Sequence, residues 1–162
     1  MRTTAYIALG SNLGDRRATL ERAVSGLRES GVVVEAVSDW IETEPVDAPR
    51  PQGPYLNGAL RASFDGSARE LLGILQALEA EAGRVRVEPN GARTLDLDLL
   101  LFGAERSDAA DCTLPHPRME ERTFVLEPLC ELDPDLVLPA SGRRVRDRLR
   151  DLTRELPAGS GA

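Results

Sequence analysis

Lysine is missing altogether, so all 20 basic side chains are arginine. Any anion held here must meet guanidinium groups, backbone amides or a metal ion. Aromatic residues are scarce, at 4% of the chain, and there is one histidine, His116. The two cysteines, Cys112 and Cys130, have no metal-type spacing and read as free thiols of a reducing compartment. No apolar run approaches the roughly 18–20 residues that cross a bilayer. The N-terminus has no secretory h-region, so a cytoplasmic protein without a membrane partner is expected. The formal charge of −7 argues against a nucleic-acid partner, whose footprint is basic, but leaves room for a small phosphate ligand in an arginine pocket. There is no Gly-Lys-Ser/Thr closing a P-loop and no G-x-S-x-G element.

What is present suits one domain over residues 1–162, with 41% hydrophobic and 29% charged residues. The stretch from residue 157 onward reads as a frayed tail, and a monomer is expected. Thr3–Leu9 reads as a strand, Gly10–Asp15 as a turn, and Asp15 as the cap of a helix carrying Leu20, Val24 and Leu27. Residues 32–41 are rich in β-branched side chains and read as one long strand. The proline-rich segment 44–54 is a long loop. Tyr55–Phe64 alternates, with Leu56, Leu60, Ala62 and Phe64 on one face and Tyr55 and Asn57 on the other. Ser67 and Glu70 form a capping box for a helix with Leu71, Leu72, Leu75 and Leu78 inside, ending near Gly83. Residues 95–102 read as a strand, 124–132 as a helix and 145–152 as a short arginine-rich helix. The order βαββαβ implies an α+β, ferredoxin-like antiparallel sheet, with helices on one face and the other left free for a site.

Arg93-Thr94-Leu95-Asp96-Leu97-Asp98 is the most informative segment. Alternation puts Asp96 and Asp98 on one face and Leu95, Leu97, Leu99 and Leu101 on the other. Two neighbouring carboxylates repel, and a hard cation such as Mg²⁺ would offset the cost. Two solvated aspartates are the plainer alternative. Arg84 and Arg86 before the loop at 87–92, and Arg93 after it, suit phosphate, although surface arginines are common. His116, between two prolines, is either incidental or a phosphate contact, with Arg118 and Arg122 near it in sequence. Tyr55 and Phe124 are either core residues or a stacking pair for a flat heterocycle whose edge Asn57 could read.

These segments together resemble the hydroxymethyldihydropterin pyrophosphokinase family. The resemblance rests on residues 6–14, Tyr55-Leu56-Asn57, Gly83-Arg84-Val85-Arg86, residues 91–103, Pro115-His116-Pro117-Arg118-Met119 and residues 122–126. It implies transfer of pyrophosphate from ATP to the hydroxymethyl group of a dihydropterin, releasing AMP, as a step of folate synthesis. Asp96 and Asp98 would hold two Mg²⁺ ions. Arg84 and Arg93 would hold the phosphates, with Arg86, His116 and Arg122 assisting, and Gln76 and Glu79 would line the nucleotide side. Tyr55 and Phe124 would sandwich the pterin, Asn57 would hydrogen-bond it, and Thr43, Pro45 and Val46 would complete its edge. The chain departs from the family pattern at residues 87–92, which are one residue shorter and lack the usual arginine and tryptophan. A transferase for a related heterocycle and a non-catalytic ferredoxin-like binding module are the competing readings.

Overall fold

The computed structural model describes residues 2–12, 15–43, 54–83 and 95–155. In chain order β1 (Arg2–Ser11) leads to α1 (Arg16–Glu29), β2 (Val33–Val37), β3 (Ile41–Thr43), β4 (Tyr55–Asp65), α2 (Ala68–Ala82) and β5 (Asp96–Phe102). A hairpin of β6 (Ser107–Ala109) and β7 (Cys112–Leu114) follows, then a 3-10 turn (Met119–Glu121), α3 (Thr123–Leu132) and α4 (Val145–Glu155). The main sheet is antiparallel in the order β2–β4–β1–β5, with β3 also paired to β4. It is a mixed α/β fold.

Local chemistry sets the helix ends. The Asp15 carboxylate accepts from Ala18 N at 3.1 Å at the start of α1, and Gly31, at φ +92°, follows its last turn. Ser67 and Glu70 form the expected capping box on α2. Leu20, Ala23, Val24 and Leu27 of α1 and Leu71 and Leu75 of α2 then bury against Ile7, Leu9, Leu60, Ala62, Leu97 and Leu99 of the sheet.

Four sequence expectations need correction. Gly10 and Ser11 continue β1 rather than turning, because β4 and β5 both pair there: Gly10 faces Asn57 and Asp96, and Ser11 faces Leu56. The long strand at 32–41 is broken. Between the pairs Val37–Leu60 and Ile41–Asn57, three residues (Ser38, Asp39, Trp40) oppose two (Gly58, Ala59), which is a bulge. Ser38 stitches it: its N–H donates to Ala59 O and its Oγ accepts from Ala59 N, both at 2.9 Å. Trp40 lies over Gly58, where a Cβ would fall 2.4 Å from the indole.

The third correction concerns Leu101. The β1–β5 register steps from Tyr6–Leu101 to Ile7–Leu99, so Leu100 is an extra residue. Past that bulge the phase reverses: Leu95, Leu97 and Leu99 join the core under α1 and α2, while Leu100 and Leu101 belong to a second core. The fourth follows from this. The face expected to be free is half covered, because α3 and α4 bury Val125, Leu126, Leu129 and Val145 against Tyr6, Ala59, Leu100 and Leu101. Among the described residues, no helix is long and apolar enough to cross a membrane.

Candidate active site

The uncovered half of that second face is built in rows across the strands. Asn57 (β4), Gly10 (β1) and Asp96 (β5) share one row; Ala59, Ala8 and Asp98 share the next row on the same face, whose Ala59 end already lies under the second core. Small residues in the middle strand leave a trough between the asparagine side and the carboxylate side. Gly10 is required there: a Cβ would stand 2.7 Å from Asn57 Oδ1 and 3.6 Å from Tyr55 Cδ1, so its absence lets both side chains lean over β1. Thr43 pairs with Tyr55 across the β3–β4 ladder, and Asn57 Nδ2 donates to Thr43 Oγ1. That bond fixes the amide and leaves Asn57 Oδ1 aimed over Gly10 as an acceptor. Phe124, in the first turn of α3, is partly buried against the second core, as is Ala8, and the Arg122 guanidinium lies 5.6 Å from the Phe124 ring centroid.

Asp98 is exposed and Asp96 half-buried. His116 is brought over from the β7 side: the Leu114–Pro115 bond is cis, and His116 N–H donates to Leu100 O at 2.9 Å, at the bulge. Its Nδ1 accepts from Arg118 N at 3.3 Å, so Nε2 carries the proton and faces Asp98 Oδ1 at 3.9 Å. Burial lowers the His116 pKa below the ordinary histidine value; Asp98 opposes this, and Arg122 and Arg118 add to it. The shift favours the neutral imidazole, in which Nε2 is the donor.

Among the described residues β5 is the last strand of the main sheet on this side, and Leu97, Asp98 and Leu99 of β5 line a cavity of about 310 Å³. Leu72, Leu97, Leu99 and Leu114 supply apolar walls, Asp98 and His116 are also part of the lining, and Asp111, Cys112 and Thr113 come from the β6–β7 hairpin. Neither the hairpin nor its lining residues were expected. The available signal was the pair of short runs Ser107–Ala109 and Cys112–Leu114 around a two-residue turn. On α2, Gln76 is exposed, and Glu79 Oε2 accepts from Leu97 N at 2.8 Å, tying the end of α2 to the strand that carries both aspartates. Of the residues singled out in the sequence, the fold gathers Thr43, Tyr55, Asn57, Asp96, Asp98, His116 and Phe124 on or beside one half-face. Pro45, Val46, Arg84, Arg86 and Arg93 lie outside the described residues, as does the departure at 87–92.

The class comes first from shape. The fold is similar to that of the solved HPPK-DHPS in complex with substrates, with a TM-score of 0.73 at 12% identity, covering 94% of this chain. The chain spans 44% of the length of that solved chain, and the likeness shows an α/β fold that also occurs as one part of a larger polypeptide. Sequence then narrows it. Residues 6–134 match the model of 7,8-dihydro-6-hydroxymethylpterin-pyrophosphokinase, and the chain belongs to that family. It is similar to the 2-amino-4-hydroxy-6-hydroxymethyldihydropteridine pyrophosphokinase of Bacillus subtilis, at 45% identity over 133 residues, covering 82% of this chain and 79% of that one. It is also similar to the enzyme of the same name from Synechocystis sp., at 40% over 142 residues, covering 87% of this chain and 72% of that one.

Proposed function

We propose that the uncovered half-face transfers the β,γ-pyrophosphoryl group of ATP to the hydroxymethyl oxygen of 6-hydroxymethyl-7,8-dihydropterin, releasing AMP, in folate biosynthesis. The chain is thus an ATP-dependent diphosphotransferase. The observation that supports this best is the pair of rows: an asparagine acceptor on one side of a cleared trough, two carboxylates on the other, and an apolar cavity opening beside the second carboxylate.

The residues suit Mg²⁺. Asp96 and Asp98 are hard oxygen donors side by side on one face, and Mg²⁺ takes one or two carboxylates and completes its shell with water and phosphate. In this reading the pair holds two ions, which supply charge neutralisation and in-line alignment of the reacting oxygens. The chain's own residues do the rest. Tyr55 and Phe124 sandwich the flat ring, Asn57 Oδ1 accepts from its N–H edge, and Thr43, Pro45 and Val46 close that edge. The cavity along β5, with Gln76 and Glu79, takes the nucleoside. His116 Nε2–H donates to a phosphate oxygen, and Arg84, Arg86, Arg93 and Arg122 supply the remaining donors. The hydroxymethyl oxygen bonds to the β-phosphorus and releases its proton to solvent as the bridging oxygen, with its electron pair, leaves on the α-phosphorus, so AMP is the leaving group. Holding the two substrates on one floor supplies much of the acceleration. The strand order β2–β4–β1–β5 with crossovers α1 and α2 supports a ferredoxin-like arrangement, and the chain is taken as one monomeric, cytoplasmic domain.

The test is to incubate the full chain with ATP, Mg²⁺ and the hydroxymethyldihydropterin and to separate the nucleotides. AMP that depends on pterin and metal is expected. ADP would make the chain a simple kinase, and neither product would remove the reading.

A further inference from the structure

Arg16 occupies a position that helix energetics disfavour. It opens α1, where the helix dipole presents positive charge, and the first turn contains no acidic residue. Its neighbour Arg17 is answered within the helix by Glu21, at 3.2 Å. Arg16 instead leaves the helix. Its Nη2 donates to Glu42 Oε1 and its Nη1 to Pro54 O, both at 2.8 Å, and its side chain is only 27% exposed. One planar fork therefore joins α1 to the last turn of the β3–β4 ladder from both sides.

What that fork holds gives it meaning. Glu42 precedes Thr43 and Pro54 precedes Tyr55, and Thr43 and Tyr55 are paired. β3 is only three residues long and lies at the sheet margin, so its own ladder holds it weakly. The Pro54 carbonyl belongs to the peptide plane that carries the Tyr55 N–H, so anchoring it sets the direction in which the Tyr55 ring leaves the strand. Glu42 fixes the strand that brings Thr43 Oγ1 to Asn57 Nδ2. Arg16 reaches these residues from the face under α1, opposite the trough, without entering the trough itself.

We propose that Arg16 is a positioning residue for the flat-ring site, holding Tyr55, Thr43 and Asn57 in the geometry that receives the heterocycle. This rests on the reading that the trough binds the pterin. A guanidinium is needed because two acceptors on different strands must be met at once in one plane, which an ammonium group does poorly.

The experiment measures AMP formation by the full chain, with KM for pterin and for ATP and a melting curve, for wild type, Arg16→Met, Arg16→Lys, Glu42→Gln and Tyr55→Ala. Arg16→Met should raise the pterin KM about tenfold, with the ATP KM and the melting temperature close to wild type. Arg16→Lys should fall between the two, at about threefold. If Arg16→Met does not fold, Glu42→Gln carries the test: a rise in pterin KM alone supports the role. An unchanged pterin KM in these variants, or both KM values rising together, overturns it. Tyr55→Ala separates the two failures. If it raises the pterin KM while the Arg16 variants do not, only the Arg16 assignment falls; if it leaves the pterin KM unmoved, the trough is not the pterin site.

Discussion

The two faces of the sheet are covered differently. Under α1 and α2 the surface is apolar from Ala5 to Leu9 and from Leu95 to Leu99, and the helices close it. On the other face α3 and α4 cover one half through Tyr6, Ala59 and Leu101, and cover stops where Ala8, Gly10, Asp96 and Asp98 begin. The Leu100 bulge is the hinge of this difference: it turns two consecutive leucines towards α3 on the same strand that shows two carboxylates a few residues earlier. One face is therefore closed by apolar packing, and half of the other is left free of helix cover, with charged and small side chains.

This division can be broken from either side. Asp98→Ala or Asp96→Ala should lower AMP formation on the order of 1,000-fold. The melting temperature of Asp98→Ala should stay at or above wild type, because removing one of two neighbouring like charges relieves repulsion. A melting curve beside the assay checks both halves. Leu75→Ala, on the closed face at 0% exposure, should cost about 3 kcal/mol in urea unfolding while the folded fraction keeps its turnover. Tyr55→Ala should raise the pterin Kd about tenfold, in line with the worth of one ring stack, and leave the ATP Kd unchanged in calorimetry. The smallest effect belongs to the covered half of the second face. There the Tyr6 hydroxyl donates to Asp133 Oδ2, which also accepts from Arg61 Nη1 at 3.0 Å, tying β1 and β4 to the end of α3. Tyr6→Phe should cost about 1 kcal/mol of stability and move neither KM.

The sequence makes the closed face and the carboxylates legible for the same reason: both follow from strict periodicity. Asp96 and Asp98 are two apart, so they share a face, and the Ser67–Glu70 box marks α2 before any contact is known. Features that depend on register were hidden. The bulges at residues 38–40 and at Leu100 arise from how two strands are paired, and neither strand alone encodes the offset. The β6–β7 hairpin is too short to produce a pattern, yet it supplies a wall of the cavity. Gly10 reads as a turn residue until Asn57 and Tyr55 are seen to need the space its Cβ would take. Glu79 was expected only to line the nucleotide side through family resemblance; its bond to Leu97 N, across 18 residues of sequence, also ties α2 to β5.

In the proposed reaction two phosphorus atoms move together to the pterin. The measurement that meets it most directly is ³¹P NMR of the purified pterin product after reaction with ATP and Mg²⁺. Two coupled phosphorus signals on the pterin, with AMP in equal amount, are the result predicted. A single phosphorus signal with ADP would contradict it.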